Sequence, residues 1–167
     1  TEKIVKSLKN NNDIYLVPAF TGLGAPYWDA NSRGVLSGIT RDKSPKEIVR
    51  ATIEAVAYQT HDLFEAMKHD GLRPKIVKVD GGMVMNNWFS QFLSDVVNVK
   101  VLRPKVQETT ALGAAFMAGL HIGVYKSLKD ISKNWNVDKK FSPKMSKQSR
   151  SSLLKGWIKA IKRTLIN

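Results

Sequence analysis

Apolar and polar positions along this chain switch between short runs and helical stripes, and the switches mark its elements. Ile14 to Ala19 and Gly34 to Ile39 are brief apolar runs bounded by Gly and Pro, which predicts two strands flanking a turn-rich loop. Ser44-Pro45-Lys46-Glu47 then supplies a capping residue, a proline that suits a first turn, and a glutamate placed to close a capping box. A helix starts there. Ile48, Ala51, Ala55, Tyr58, Leu63 and Met67 continue its apolar face until Gly71, making it the longest element. Ile76 to Val79 predicts a strand, Trp88 to Val97 an amphipathic helix, and Lys100 to Leu102 another strand, closed by Arg103-Pro104. Ala111 to Leu120 is a helix rich in small residues, among them Gly113 and Gly119, which let another backbone pack close. After Tyr125 the pattern weakens, so 126–151 reads as a basic surface linker behind a core of about 14–125. A terminal helix, 152–165, follows; Leu154, Trp157, Ile158, Ile161 and Leu165 share one face, with Lys155, Lys159, Lys162 and Arg163 outside it.

Strand, helix, strand, helix in that order predicts an α/β layer with parallel pairing, and such sheets bind ligands at the carboxyl ends of their strands. One corner has that chemistry. Ile76-Val77-Lys78-Val79-Asp80 runs into Gly81-Gly82, with Asn86 just ahead of the next helix. Paired glycines present bare backbone, and the following helix start offers free N–H groups, a combination that suits a nucleotide. Asp80 has two readings: it holds a water on a phosphate-bound Mg²⁺, or it orients the Gly81 and Gly82 amides, and the structural role is favoured.

Composition narrows the class. The 167 residues include no cysteine, which removes disulfides and thiolate metal sites, and no apolar run approaches the roughly 20 residues of a membrane helix. Nothing points to secretion, so the expected location is cytoplasmic. Net charge is +13, and twelve basic against two acidic residues from Lys126 onward give +10 of it. That block contains no nucleic-acid-binding motif and reads as a solvated basic face, so neither a nucleic-acid partner nor stable membrane insertion is expected. His61, His69 and His121 lack partners at ligand spacing, and the default for His61 and His69 on a helix is exposure. Glu54 and Asp62 read as salt-bridge or solvent partners on the long helix.

Pro18-Ala19-Phe20-Thr21-Gly22-Leu23-Gly24-Ala25-Pro26-Tyr27-Trp28-Asp29, together with Arg33-Gly34, Gly38 to Arg41, Ile48 to Gln59, Val79 to Asn87 and Thr110 to Gly119, resembles the C-terminal part of the glycerol kinases. These belong to the FGGY carbohydrate kinases of the sugar kinase, Hsp70 and actin superfamily. The resemblance implies part of an actin-like ATPase (ribonuclease H-like) domain, a short mixed sheet with flanking helices. It implies a whole enzyme that phosphorylates glycerol to glycerol 3-phosphate with ATP and Mg²⁺ and is a homo-oligomer at full length. Carried over by position, nucleotide contacts fall on Gly82 and Asn86, with Gly81 completing the turn. The catalytic base, the glycerol-clamping residues and the first phosphate loop have no counterpart here and are expected in a missing N-terminal domain, so the chain alone is expected to be inactive. The alternatives are another FGGY sugar kinase and a non-catalytic actin-like interaction module.

Overall fold

The capping box at Ser44 is present: the Glu47 carboxylate accepts the Ser44 backbone N–H at 2.9 Å, and the Ser44 hydroxyl accepts from the Lys46 N–H. It opens α2, Pro45–His69, in a computed structural model that describes residues 1–165. Ahead of it come a short helix α1 (Glu2–Lys6) and two strands, β1 (Tyr15–Val17) and β2 (Val35–Ser37). After it come β3 (Ile76–Lys78), a 3-10 turn (Gly82–Met85), α3 (Asn87–Val97), β4 (Lys100–Pro104), α4 (Thr109–His121), α5 (Leu128–Ser132), β5 (Val137–Phe141) and α6 (Lys147–Thr164).

The core is organised around Tyr58 of α2. Its ring lies 5.7 Å from Tyr15 of β1, 5.7 Å from Phe92 of α3 and 5.3 Å from Trp157 of α6, so one aromatic joins four elements. Trp157 is fully buried, which docks α6 on the domain as its apolar face predicted. That face is turned from the expected one. Ala160, Ile161 and Thr164 join Trp157 inside, while Ile158 and Leu165 are exposed, because β1 meets the helix on the Gly156 side.

Sheet topology is mixed. β3 pairs parallel with β4, as the strand–helix–strand order predicts, but β1 and β2 form a separate antiparallel pair. The 126–151 linker is corrected: it contains α5 and β5, the latter antiparallel to β4 with Val101 opposite Phe141. β5 is an edge strand whose middle residues are charged and exposed, a composition that protects an edge and hides a strand from hydrophobic pattern. α6 likewise begins at Lys147, not Ser152, capped by Ser146, because its first turn lacks an apolar residue. The core also extends beyond 14–125: Val5 of α1 is fully buried, and Phe141, Trp157 and Ile161 share its cluster.

α4 departs from expectation in another way. Gly119 is buried against Tyr125, but a Cβ built on Gly113 meets nothing within 4 Å, and Met117, Ile122 and Val124 are exposed. The small-residue face has no partner helix among the described residues.

Glu54 makes a salt bridge with Arg50, one of the two expected roles, and neither it nor Asp62 is a solvent partner. Glu54 is fully buried between Arg50 and Tyr58; burial pushes its carboxyl up, and the Arg50 and Tyr58 hydrogen bonds at 2.7 and 2.9 Å oppose the rise. Asp62 accepts from Trp157 Nε1–H at 2.7 Å and from the Tyr27 hydroxyl at 2.8 Å, fastening α6 and the 19–33 loop to α2. His61, expected on the surface, is largely buried, with Nδ1 lacking a hydrogen-bond partner; His69 is exposed as expected.

Candidate functional site

The β3–α3 corner brings Gly81, Gly82 and Asn86 into one turn. Val79 extends the parallel pairing by donating to the Leu102 carbonyl at 3.1 Å, and the chain then reverses at Gly81, whose φ of +85° suits a residue without a Cβ. Gly82 is different. Its φ is ordinary and a Cβ added there meets nothing within 4 Å, so neither backbone conformation nor internal packing explains the glycine. What remains is an uncovered stretch of main chain facing open space.

Asn86 caps α3: its Oδ1 accepts from the Phe89 N–H at 3.1 Å, leaving the side-chain amide free to donate outward. The turn between is held from beneath. Arg103, nearly buried on β4, donates Nη1 hydrogen bonds to the carbonyls of Val84 at 2.9 Å and Met85 at 3.3 Å, while Nε and Nη2 grip Asp138 of β5 at 2.8 and 2.7 Å. The Ser90 hydroxyl adds a bond to Val84 O at 3.0 Å. Sequence reasoning saw in Arg103 only the end of a strand. Its paired carbonyls and carboxylate are remote in sequence, and no local pattern connects them.

Asp80 reaches neither glycine amide. Its carboxylate accepts from the Thr109 hydroxyl at the start of α4, which corrects the expected amide-orienting role and brings the first turn of α4 to the same corner. The start of α3 is not open as expected, since the Glu2 carboxylate of α1 accepts the Asn87 N–H at 3.2 Å; the corner offers instead bare backbone, the Asn86 amide donor and the start of α4, a set that favours a phosphate-bearing ligand. No cluster of three or more metal-ligating side chains occurs among the described residues.

Comparison with known proteins gives these features a family. Residues 3–122 match the C-terminal domain of the FGGY family of carbohydrate kinases. Glycerol kinase 1 of Pseudomonas aeruginosa is 51% identical over 163 residues, and the glycerol kinase of Thermoanaerobacter pseudethanolicus 50% over 166, covering 98% and 99% of this chain and 33% of each relative. The crystal structure of Plasmodium falciparum glycerol kinase with ADP superimposes with a TM-score of 0.86 at 36% identity, over 99% of this chain and 33% of that one. A gluconate kinase from Lactobacillus acidophilus shares the fold, with a TM-score of 0.75 at 24% identity over 96% of this chain and 32% of its own. The chain thus spans about a third of the length of the relatives it matches, and within that third it belongs to the FGGY family of carbohydrate kinases as part of their C-terminal domain.

Proposed function

We propose that this chain is the nucleotide-binding part of an ATP-dependent glycerol kinase, with Gly82 and Asn86 contacting ATP or ADP and Gly81 shaping the turn between strand and ligand. The observation that carries the reading is the unexplained glycine at position 82, open to space on a turn that Arg103 holds rigid. Glycerol is favoured over the sugar substrates of other carbohydrate kinases by relatives of about 50% identity named glycerol kinase, one solved glycerol kinase counterpart being an ADP complex.

Phosphoryl transfer is achieved by positioning and charge stabilisation. On this reading the Gly81–Gly82 backbone lets the nucleotide lie flush against the chain, and the Asn86 amide donates a hydrogen bond that fixes its register. Mg²⁺ is expected to arrive with the nucleotide, held mainly by its phosphates and residues outside this chain, since Asp80 alone is a poor site and already bonds Thr109. The groups that hold the acceptor alcohol, and the base that deprotonates it, are expected in the rest of the protein.

In the full-length protein, Gly82→Val would place a branched side chain where the ligand lies while leaving the fold intact. The expected result is a KM for ATP raised at least tenfold, with the KM for glycerol and the melting temperature nearly unchanged. A variant weakened toward glycerol but not ATP would reassign the corner. Parallel assays with xylulose and gluconate test the substrate.

A further inference from the structure

The inner face of α6 is consumed by docking, but its outer face has no role in the core or the nucleotide corner. The helix carries six basic residues and no acidic one, and it lies beyond the segment that matches the family model. Lys162 and Arg163 stand in its last turn, where the helix dipole favours cations. Lys147 opens the helix, where the same dipole disfavours them, and Lys155 and Lys159 sit four apart, where like charges repel. All five side chains are exposed, and none has an ion-pair partner among the described residues. This arrangement raises the energy of the protein in solution and lowers it against a negative surface. The middle of the face is aliphatic: Ile158 is 47% exposed, and with Leu154 it lines a shallow groove of about 280 Å³ bordered by Lys147, Arg150, Ser151 and Lys155.

We propose that the outer face of α6 is a reversible docking surface for membranes carrying anionic lipid headgroups. Four of the five unpaired cations are lysines, compact charges that need no fixed partner geometry, which suits a fluid array of headgroups. Nucleic acid is disfavoured, because the exposed face carries no aromatic side chain for base stacking and the helix is docked lengthwise rather than presented to a groove. The exposed Ile158 and half-buried Leu154 add apolar contact at the level of the headgroups. No helix among the described residues is long and apolar enough to cross a membrane, so attachment is peripheral and electrostatic.

The test is sedimentation of the full-length protein with phosphatidylcholine vesicles, with and without phosphatidylglycerol, at low and high salt. Binding is expected only where phosphatidylglycerol is present and is expected to be lost near 1 M salt, where screening acts over about 3 Å. The triple variant Lys155→Gln, Lys159→Gln, Lys162→Gln should bind about 100-fold more weakly, at roughly fivefold per lysine. Its melting temperature and kinase activity should be unchanged, since all three side chains are exposed and none has a bonding partner in the 81–86 turn among the described residues. The proposal is overturned by a wild-type protein that ignores the anionic vesicles at low salt, whether or not it binds duplex DNA, or by a triple variant that binds as well as wild type.

Discussion

Asn86 serves the fold and, in the proposed site, the ligand, and the two roles are separable by substitution. Asn86→Ala removes both the cap on α3, worth about 1 kcal/mol, and the outward amide. Asn86→Asp keeps an oxygen to cap Phe89 and deletes only the donor, while adding a negative charge toward the phosphates. Thermal melts and ATP kinetics on the pair should therefore diverge: alanine lowers both stability and apparent ATP affinity, aspartate only the latter. Equal ATP kinetics for Asp and wild type would leave the residue a cap and nothing more. Glu47 gives a pH-dependent counterpart. The Ser44 hydroxyl, followed by the Ser44 backbone N–H, holds its carboxyl down at about 2, against an ordinary 4.5. A depressed carboxyl stabilises the fold above its unfolded pKa and loses that contribution as pH falls through the folded one. Melting temperature should therefore decline between about pH 4.5 and 2, and Glu47→Gln should flatten that decline; an identical pH profile for wild type and variant would remove the box from the account. Ser44 and Glu47 were legible in the sequence because the capping box acts within three positions of itself. Arg103 was not, since its partners lie 19 residues before and 35 residues after it.

Among the elements, α6 joins the sheet pair to the helices through Trp157 and Gly156. Trp157→Ala should cost about 3–5 kcal/mol by leaving a cavity beside Tyr58 and Asp62 without one of its donors. A methyl on Gly156 would run into the Tyr15 hydroxyl, so Gly156→Ala should also destabilise, by about 1–3 kcal/mol. Ile158→Ala, on the exposed side, should stay within about 0.5 kcal/mol of wild type. Denaturant midpoints for the three variants check the ordering, and an unaltered Trp157→Ala midpoint would contradict the docked helix. Periodicity found α2 and α3 first, but the buried face of α2 is not the expected stripe: Ile48 and Leu63 are exposed, while Arg50, Glu54 and Asp62 are inside, held by partners the pattern does not show. β5 and the first turn of α6 escaped because their polar residues face water, and only the pairing with β4 and the Ser146 cap reveal them. α1 escaped for its length: five residues carry too little pattern, although Val5 is as buried as any residue in the core.

For the whole molecule, the chain spans a third of the length of its relatives and, on the proposed reading, holds one wall of a nucleotide site. Coupled measurement of ADP release by the isolated chain should therefore give the same rate with and without glycerol; a glycerol-dependent rate well above that background would show that the catalytic parts lie within these residues after all. The exposed apolar side of α4 belongs to the same picture. Met117, at 63% exposure, and Ile122 and Val124 just past the helix are apolar and exposed, and the segments that the longer relatives have outside this third are the proposed cover. Fold class and family were readable from strands, glycines and the 18–29 segment, whereas the reach of the C-terminal stretch was not. That reach changes where the functional unit ends. Asp138 steadies Arg103, and Arg103 steadies the carbonyls that shape the proposed nucleotide turn, so a boundary drawn at residue 122, where the family match stops, would cut through the turn's own support. On the proposed reading, an inherited change at Asp138 would surface as a nucleotide-affinity phenotype, arising from a strand that lies outside the nucleotide turn itself.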